Sequence, residues 1–265
     1  MGYTTSLSVV NSSIWRNFKD RRLIEKIYWK HTVEKVNIID CLSPSIAQNI
    51  KNIFTVNKTI VKIAPCSFSP EYHPDNEQNQ FMPYDSGEKT YDFCFVSRLI
   101  ENKGCDLLVQ ILQKFENEQI KLKVLICGQG PLKQTLISAT KKFRYIDTVF
   151  NNNLRGIDAI KKCKFLLSLQ KYENYPSQVI FEAAITKTIV VLTNVGDSTL
   201  LVNNNRGVVI EHTDPDLRPL IRILKNHKLQ LKLCDNLSRF VKTNHTLDNY
   251  HCYFVKYIDS FLNSI

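Results

Sequence analysis

Along the 265-residue chain, short runs of continuous apolar residues alternate with segments whose apolar positions recur every three or four residues. The runs at 92–96, 123–127, 148–150, 165–169, 189–193 and 207–210 read as strands buried on both faces. Between them, 104–117, 131–142, 155–162, 177–186 and 197–202 carry helical spacing. Continuous apolar strands in alternation with helices predict a parallel sheet covered on both sides. The tail from Asp214 reads as helical throughout.

Ahead of this block the pattern is thinner. Ile14, Phe18, Leu23, Ile27 and Val33 recur at roughly helical spacing among Lys and Arg, which predicts a basic amphipathic helix over 13–35. Residues 36–42 read as a buried strand. Ser43 and Pro44 then suit the N-cap and first position of a helix running to about Phe54, with another strand at 59–64. From Pro65 to Lys89, the residues Pro65, Pro70, Pro74, Pro83 and Gly87 interrupt every period, as in an interdomain linker. The expected organisation is an α/β segment over 1–70, a linker over 71–90 and a complete Rossmann-like α/β domain over 91–245. A terminal helix over 246–265 is expected to pack back on the first segment.

Composition narrows the partners. Apolar content of 43% and charged content of 23% fit a globular protein with a substantial core. A net charge of +10 favours anionic partners. The cations fall in short clusters such as Arg21-Arg22, Lys141-Lys142 and Lys161-Lys162. No zinc spacing, recognition-helix pattern or interleaved aromatic motif accompanies them, so nucleic acid is not an expected partner. The basic helix at 13–35 offers either peripheral contact with an anionic membrane or an apolar face for the sheet. Eight cysteines without a Cys-x-x-Cys pair, several inside apolar runs, fit reduced thiols in a cytoplasmic compartment. No apolar run approaches the roughly 18 residues of a membrane span, and the N-terminus lacks the apolar core of a secretory signal. The six histidines show no ligand spacing, and no metal or other cofactor is expected.

Candidate chemistry lies after the strands, because open parallel sheets bind ligands at the strands' carboxyl ends. The first large-domain strand leads to Arg98 and Lys103, two cations near a helix start that suit a phosphate. The next leads to Gly128-Gln129-Gly130-Pro131, where glycine permits close backbone approach. It is no dinucleotide fingerprint, since Lys133 stands where a third glycine belongs. The strand at 165–169 leads to Glu173-Asn174-Tyr175-Pro176-Ser177-Gln178, with Pro176 expected at a first helical position and Glu182 inside the helix. Two carboxylates beside an anion site suit a sugar joined to a diphosphate. Each spacing alone also fits solvated charges or a tight turn.

Taken in order, Ser97-Arg98-Leu99, Lys103-Gly104-Cys105-Asp106, Gly128-Gln129-Gly130-Pro131 and Glu173-Asn174-Tyr175-Pro176 with Phe181-Glu182-Ala183 resemble the C-terminal domain of family 4 glycosyltransferases, which have the GT-B fold. Asn194-Val195-Gly196-Asp197 and Asn205-Arg206-Gly207-Val208-Val209 are similar to it as well. The resemblance runs from about Tyr91 to the C-terminus. The segment before the linker resembles only the end of the family's N-terminal domain.

The resemblance implies a retaining transfer of a hexose from a nucleotide sugar to a cell-surface glycan or lipid-linked acceptor. Arg98 and Lys103 would neutralise the donor diphosphate, and Glu182 would hold the ribose. Glu173, catalytic in the family pattern, would bind the transferred sugar with the amides near Pro176, Ser177 and Gln178. The family's two glutamates stand eight positions apart. Glu173 and Glu182 stand nine apart, so Glu173 and Asn174 both remain candidates for the first place. The family also begins with a full acceptor domain. A partner subunit or further N-terminal half is therefore an expected requirement, and a non-catalytic nucleotide-sugar-binding subunit or remnant is the alternative reading.

Overall fold

The computed structural model describes residues 6–9, 18–57, 59–67 and 89–262. Its contacts divide the chain into two units, Met1–Ser69 with Thr243–Ile265, and Pro70–Lys242. Of the stretch expected as a linker, 71–88 lie outside the described residues.

In the first unit, β1 (Ser6–Val9), β2 (Ile38–Cys41) and β3 (Ile60–Ile63) form a parallel sheet in that order. Side chains alternate across a strand, so the register sorts its residues into two rows. The row Leu7, Ile39 and Val61 joins the core with α1 (Leu23–Lys35) and α2 (Pro44–Ile53), where Val33, Ile46 and Ile50 are buried. The row Ser8, Asp40 and Lys62 is polar. The C-terminal helix Leu247–Leu262 covers it: Tyr253 Oη donates to Asp40, and the Lys62 ammonium lies 5.6 Å from the Tyr257 ring centre. Ser43 caps α2 as its sequence predicts, its hydroxyl accepting from the Ile46 amide at 3.4 Å, with Pro44 at the first helical position.

The helix expected over 13–35 is shorter and differently turned. Residues 13–17 lie outside the described ones. A 3-10 turn at Phe18–Asp20 precedes a break at Arg21 and Arg22, and α1 starts only at Leu23. The break resets the helical phase. Phe18 packs on Phe54 at 5.2 Å between ring centres, and Val33 is fully buried. Leu23 and Ile27, expected on the buried face, are 74% and 59% exposed, and Ile24 and Tyr28 are exposed beside them. At 3.6 residues per turn, Val33 stands roughly 80° from Leu23 and about 120° from Ile27. Leu23, Ile27 and Val33 therefore do not share one face.

The second unit alternates strictly: β4 (Tyr91–Val96), α3 (Cys105–Asn117), β5 (Leu122–Cys127), α4 (Lys133–Thr140), β6 (Ile146–Phe150), α5 (Gly156–Lys161), β7 (Cys163–Ser168), α6 (Gln178–Ile185), β8 (Ile189–Thr193), α7 (Thr199–Val202), β9 (Val208–Ile210), α8 (Arg218–Leu224) and α9 (His227–Asn244). The C-terminal helix is α10. All six strands run parallel in the order β6-β5-β4-β7-β8-β9. Phe93 anchors the core, 5.1 Å from the Phe165 ring centre and 5.6 Å from that of Phe115. The expected helix over 197–202 splits into a 3-10 turn, Gly196–Ser198, followed by α7.

Entry into the second unit is fixed by Lys89. Its ammonium donates to the carbonyls of Lys161, Cys163 and Thr186 and to Thr188 Oγ1, at 2.9–3.3 Å. Burial lowers its pKa from the ordinary lysine value. The strand order reverses between β4 and β7, each leading outward to its own half of the sheet. That reversal is the topological switch point, where neighbouring loops diverge and leave a crevice.

Candidate functional site

A cavity of about 230 Å³ lies at that point. Its floor is the carboxyl end of β4, through Phe95, Val96 and Ser97, and of β7, through Leu167, Ser168 and Leu169. A wider hollow of about 690 Å³, lined by Asp92, Lys123 and Lys164 among others, lies at the amino ends of β4, β5 and β6. The carboxyl-end cavity is the better site, because doubly wound sheets present their divergent loops there.

Arg98 and Lys103 both stand in the cavity wall. Lys103 Nζ donates to Gln170 Oε1 at 3.2 Å. Burial, and then the neighbouring Arg98 charge, lower the Lys103 pKa from its usual value. Two like charges held this close in a partly buried wall favour an anion between them. Asn174, Ser177, Gln178 and Val179 line the same cavity. Ser177 is the N-cap of α6, so the helix's positive end meets the same cavity.

Pro176 is not at a first helical position: α6 begins at Gln178, two residues later. Neither Pro176 nor Glu173 lines the cavity. Glu173 instead accepts the backbone N–H of Asp197 on Oε1 at 2.9 Å.

Glu182 sits about one turn into α6, next to the cavity but outside its lining. A Cβ added at Gly156 would meet both Glu182 Oε2 and Val96 Cγ1 at 3.4 Å, so the carboxylate neighbours a cavity-lining side chain. Burial raises the Glu182 pKa above the ordinary carboxylate value.

Gly128 and Gly130 also lie outside the lining. Their φ values of +150° and +156° and a close backbone approach explain the motif. Added Cβ atoms would stand 1.8 Å from Ser97 O and 2.3 Å from Leu99 O. The Ser97 amide donates to Cys127 O and the Leu99 amide to Gln129 O, which locks the Arg98 loop against the glycine loop.

Several residues escaped the motif reading. Gln170 lines the cavity, and its carbonyl accepts from Thr193 Oγ1 at 2.6 Å. Lys171 pairs with Asp106 at 2.9 Å and Glu101 at 3.1 Å, tying the loop after β7 to the one after β4. Asn152 accepts the Gly128 amide at 3.2 Å. Only a polar residue directly after a predicted strand could have flagged Gln170. The others bridge loops far apart in sequence. Among the described residues, no group of three or more His, Cys, Asp or Glu is placed to hold a metal ion.

A cationic cavity at the switch point of a doubly wound sheet is the architecture of a nucleotide-binding α/β protein. The sequence matches the family described as "Glycosyl transferases group 1" over residues 76–242, and the chain belongs to that family. A human subunit of phosphatidylinositol N-acetylglucosaminyltransferase is 26% identical over 225 residues, covering 80% of this chain and 44% of the relative. The phosphatidylinositol N-acetylglucosaminyltransferase gpi3 subunit of Schizosaccharomyces pombe is 26% identical over 121 residues, covering 45% of this chain and 25% of the relative. The chain thus spans less than half the length of either relative. The solved structure of sucrose-phosphate synthase from Thermosynechococcus elongatus superposes with a TM-score of 0.73 at 14% identity, covering 100% of this chain and 69% of that one. The fold is GT-B-like, with a complete Rossmann-like unit and a partial α/β unit of three described strands.

Proposed function

We propose that this chain is the donor-binding part of a retaining, family-4-type glycosyltransferase that moves a hexose or N-acetylhexosamine from a nucleotide sugar to a lipid-linked or cell-surface glycan acceptor. One observation carries this reading: Arg98, Lys103 and the start of α6 converge on one cavity at the switch point. In it, Arg98 and Lys103 hold the donor diphosphate and stabilise the charge that develops as the nucleotide leaves. Fixed cations do the work a metal would do, so no metal is required. Glu182 accepts the ribose hydroxyls, and Asn174, Ser177 and Gln178 border the sugar.

The names of the two curated relatives make an N-acetylglucosaminyl donor and a phosphatidylinositol acceptor the first to test. Both names also describe one subunit of an enzyme, which supports a partner chain. Eight cysteines without a Cys-x-x-Cys pair, seven of them buried, and the exposed apolar side of α1 support a place on the cytoplasmic face of a membrane. Nucleic acid is not part of this reading. A second reading, a donor-binding subunit without its own turnover, is favoured by the names of the two curated relatives, each of which describes one subunit of an enzyme.

Thermal unfolding with UDP, GDP, ADP and their sugar conjugates tests the site. Ligand at about a hundred times its dissociation constant adds roughly 2.7 kcal/mol, or about 5–11 °C for a protein of this size. The shift is expected with one nucleotide class and is lost in Arg98→Ala. No shift with any of them rejects the donor site. Turnover by the isolated chain rejects the second reading.

A further inference from the structure

Glu173 and Asn174 are adjacent in sequence, and the fold sends them to different tasks. Asn174 stands in the cavity wall, whereas Glu173 does not. Glu173 Oε1 accepts the Asp197 amide at 2.9 Å. Its side chain lies directly against Gly196: a Cβ built there would come within 2.6 Å of Glu173 Cδ and 2.8 Å of its Cβ and Cγ. Gly196 also holds a φ of +53°, which disfavours a side chain independently of space. Carboxylate and glycine are therefore complementary. The acid occupies the volume the glycine leaves, and it satisfies the next amide of the 3-10 turn, Gly196–Ser198, beyond β8.

We infer that Glu173 is a positioning residue that clamps this turn, and that Asn174 is the member of the pair that faces the transferred sugar. The inference rests on the donor-site reading above. Its chemical content is that a neutral amide, not a carboxylate, stands in the wall with Arg98 and Lys103. An amide both donates and accepts, so it serves a hydroxyl or an N-acetyl carbonyl. It also adds no negative charge beside the two cations, which leaves their charge for the diphosphate.

The test compares E173Q, E173A and N174A with the parent chain by unfolding midpoint without ligand. Calorimetric titration follows with UDP, GDP and ADP and with their sugar conjugates. E173Q keeps an oxygen that accepts the Asp197 amide. It is expected to unfold within about 2 °C of the parent and to bind the sugar conjugate within about threefold. E173A loses the clamp, and its midpoint is expected to fall by roughly 3–8 °C. N174A is expected to keep the parent midpoint and the free nucleotide affinity, yet to bind the sugar conjugate at least tenfold more weakly.

If E173Q and E173A weaken conjugate binding equally while neither loses stability, Glu173 touches the donor and the inference is overturned. Undiminished conjugate binding by N174A overturns its second half. A parent chain that binds no nucleotide rejects the donor reading and the Asn174 role with it. The stability difference between E173Q and E173A would still decide the clamp.

Discussion

At the scale of single residues, Glu182 carries a cost that the proposed donor-binding role would account for. Burial raises its pKa, so the folded chain holds its proton more tightly than the unfolded chain does. Stability attributable to Glu182 therefore falls as pH rises from its unfolded value near 4.5 through its higher folded value, and stays reduced at neutral pH. Glu182→Gln removes that penalty. At pH 7 its unfolding midpoint should rise by a few degrees while nucleotide-sugar affinity drops about tenfold, the usual opposition of stability and function in a site. Below the unfolded value the two midpoints should converge, and scanning calorimetry across pH reads both effects. Unchanged affinity would remove Glu182 from the site. Arg98 and Lys103 were legible in the sequence because each follows a strand whose apolar run is unmistakable. Gln170, Lys171 and Asn152 were not. Their partners Lys103, Asp106 and Gly128 lie distant in the chain, and no periodicity announces a bond between two loops. The places of Glu173 and Asn174 were not legible either, since only packing against Gly196 separates them.

At the scale of elements, the large-domain strands were readable because both their faces are buried, which leaves a continuous apolar run. α1 departs from the expected helix because Leu23, Ile27 and Val33 do not share a face within it, Val33 standing roughly 80° from Leu23 and about 120° from Ile27. The consequence is a surface. Leu23, Ile24, Ile27 and Tyr28 form one exposed apolar side, and the exposed cations Arg22 and Lys30 lie close by on the same segment. Under the proposed function, this exposed apolar strip beside cations is the surface that would touch an anionic membrane. The chain should cosediment with vesicles containing phosphatidylserine or phosphatidylinositol and not with purely zwitterionic ones. Ile24→Glu with Ile27→Glu should reduce the bound fraction at least fivefold without lowering the unfolding midpoint, because both side chains are already in water. Binding to neither vesicle type would assign the strip to a protein neighbour instead.

At the scale of the whole molecule, each unit has its own apolar core. One centres on Phe93, Phe115 and Phe165, the other on Val33, Ile39 and Ile50. The larger core belongs to a six-stranded sheet whose strands β5, β7 and β8 are almost fully buried, the smaller to a sheet of three described strands. A unit that buries less apolar surface per residue has less to set against the conformational entropy of folding. Calorimetry should therefore resolve two transitions, the smaller at the lower temperature. The cavity with Arg98, Lys103 and Asn174 lies wholly within the second unit. Stabilisation by a ligand acts only on the unit that binds it when the units unfold independently. Nucleotide should thus move the larger transition upward and leave the smaller in place. Anionic vesicles, which under the same reading would act on α1 in the first unit, should affect the smaller one alone. One transition moved by both ligands would mean that the two cores unfold together, and that donor and membrane binding are thermodynamically linked in a single folding unit.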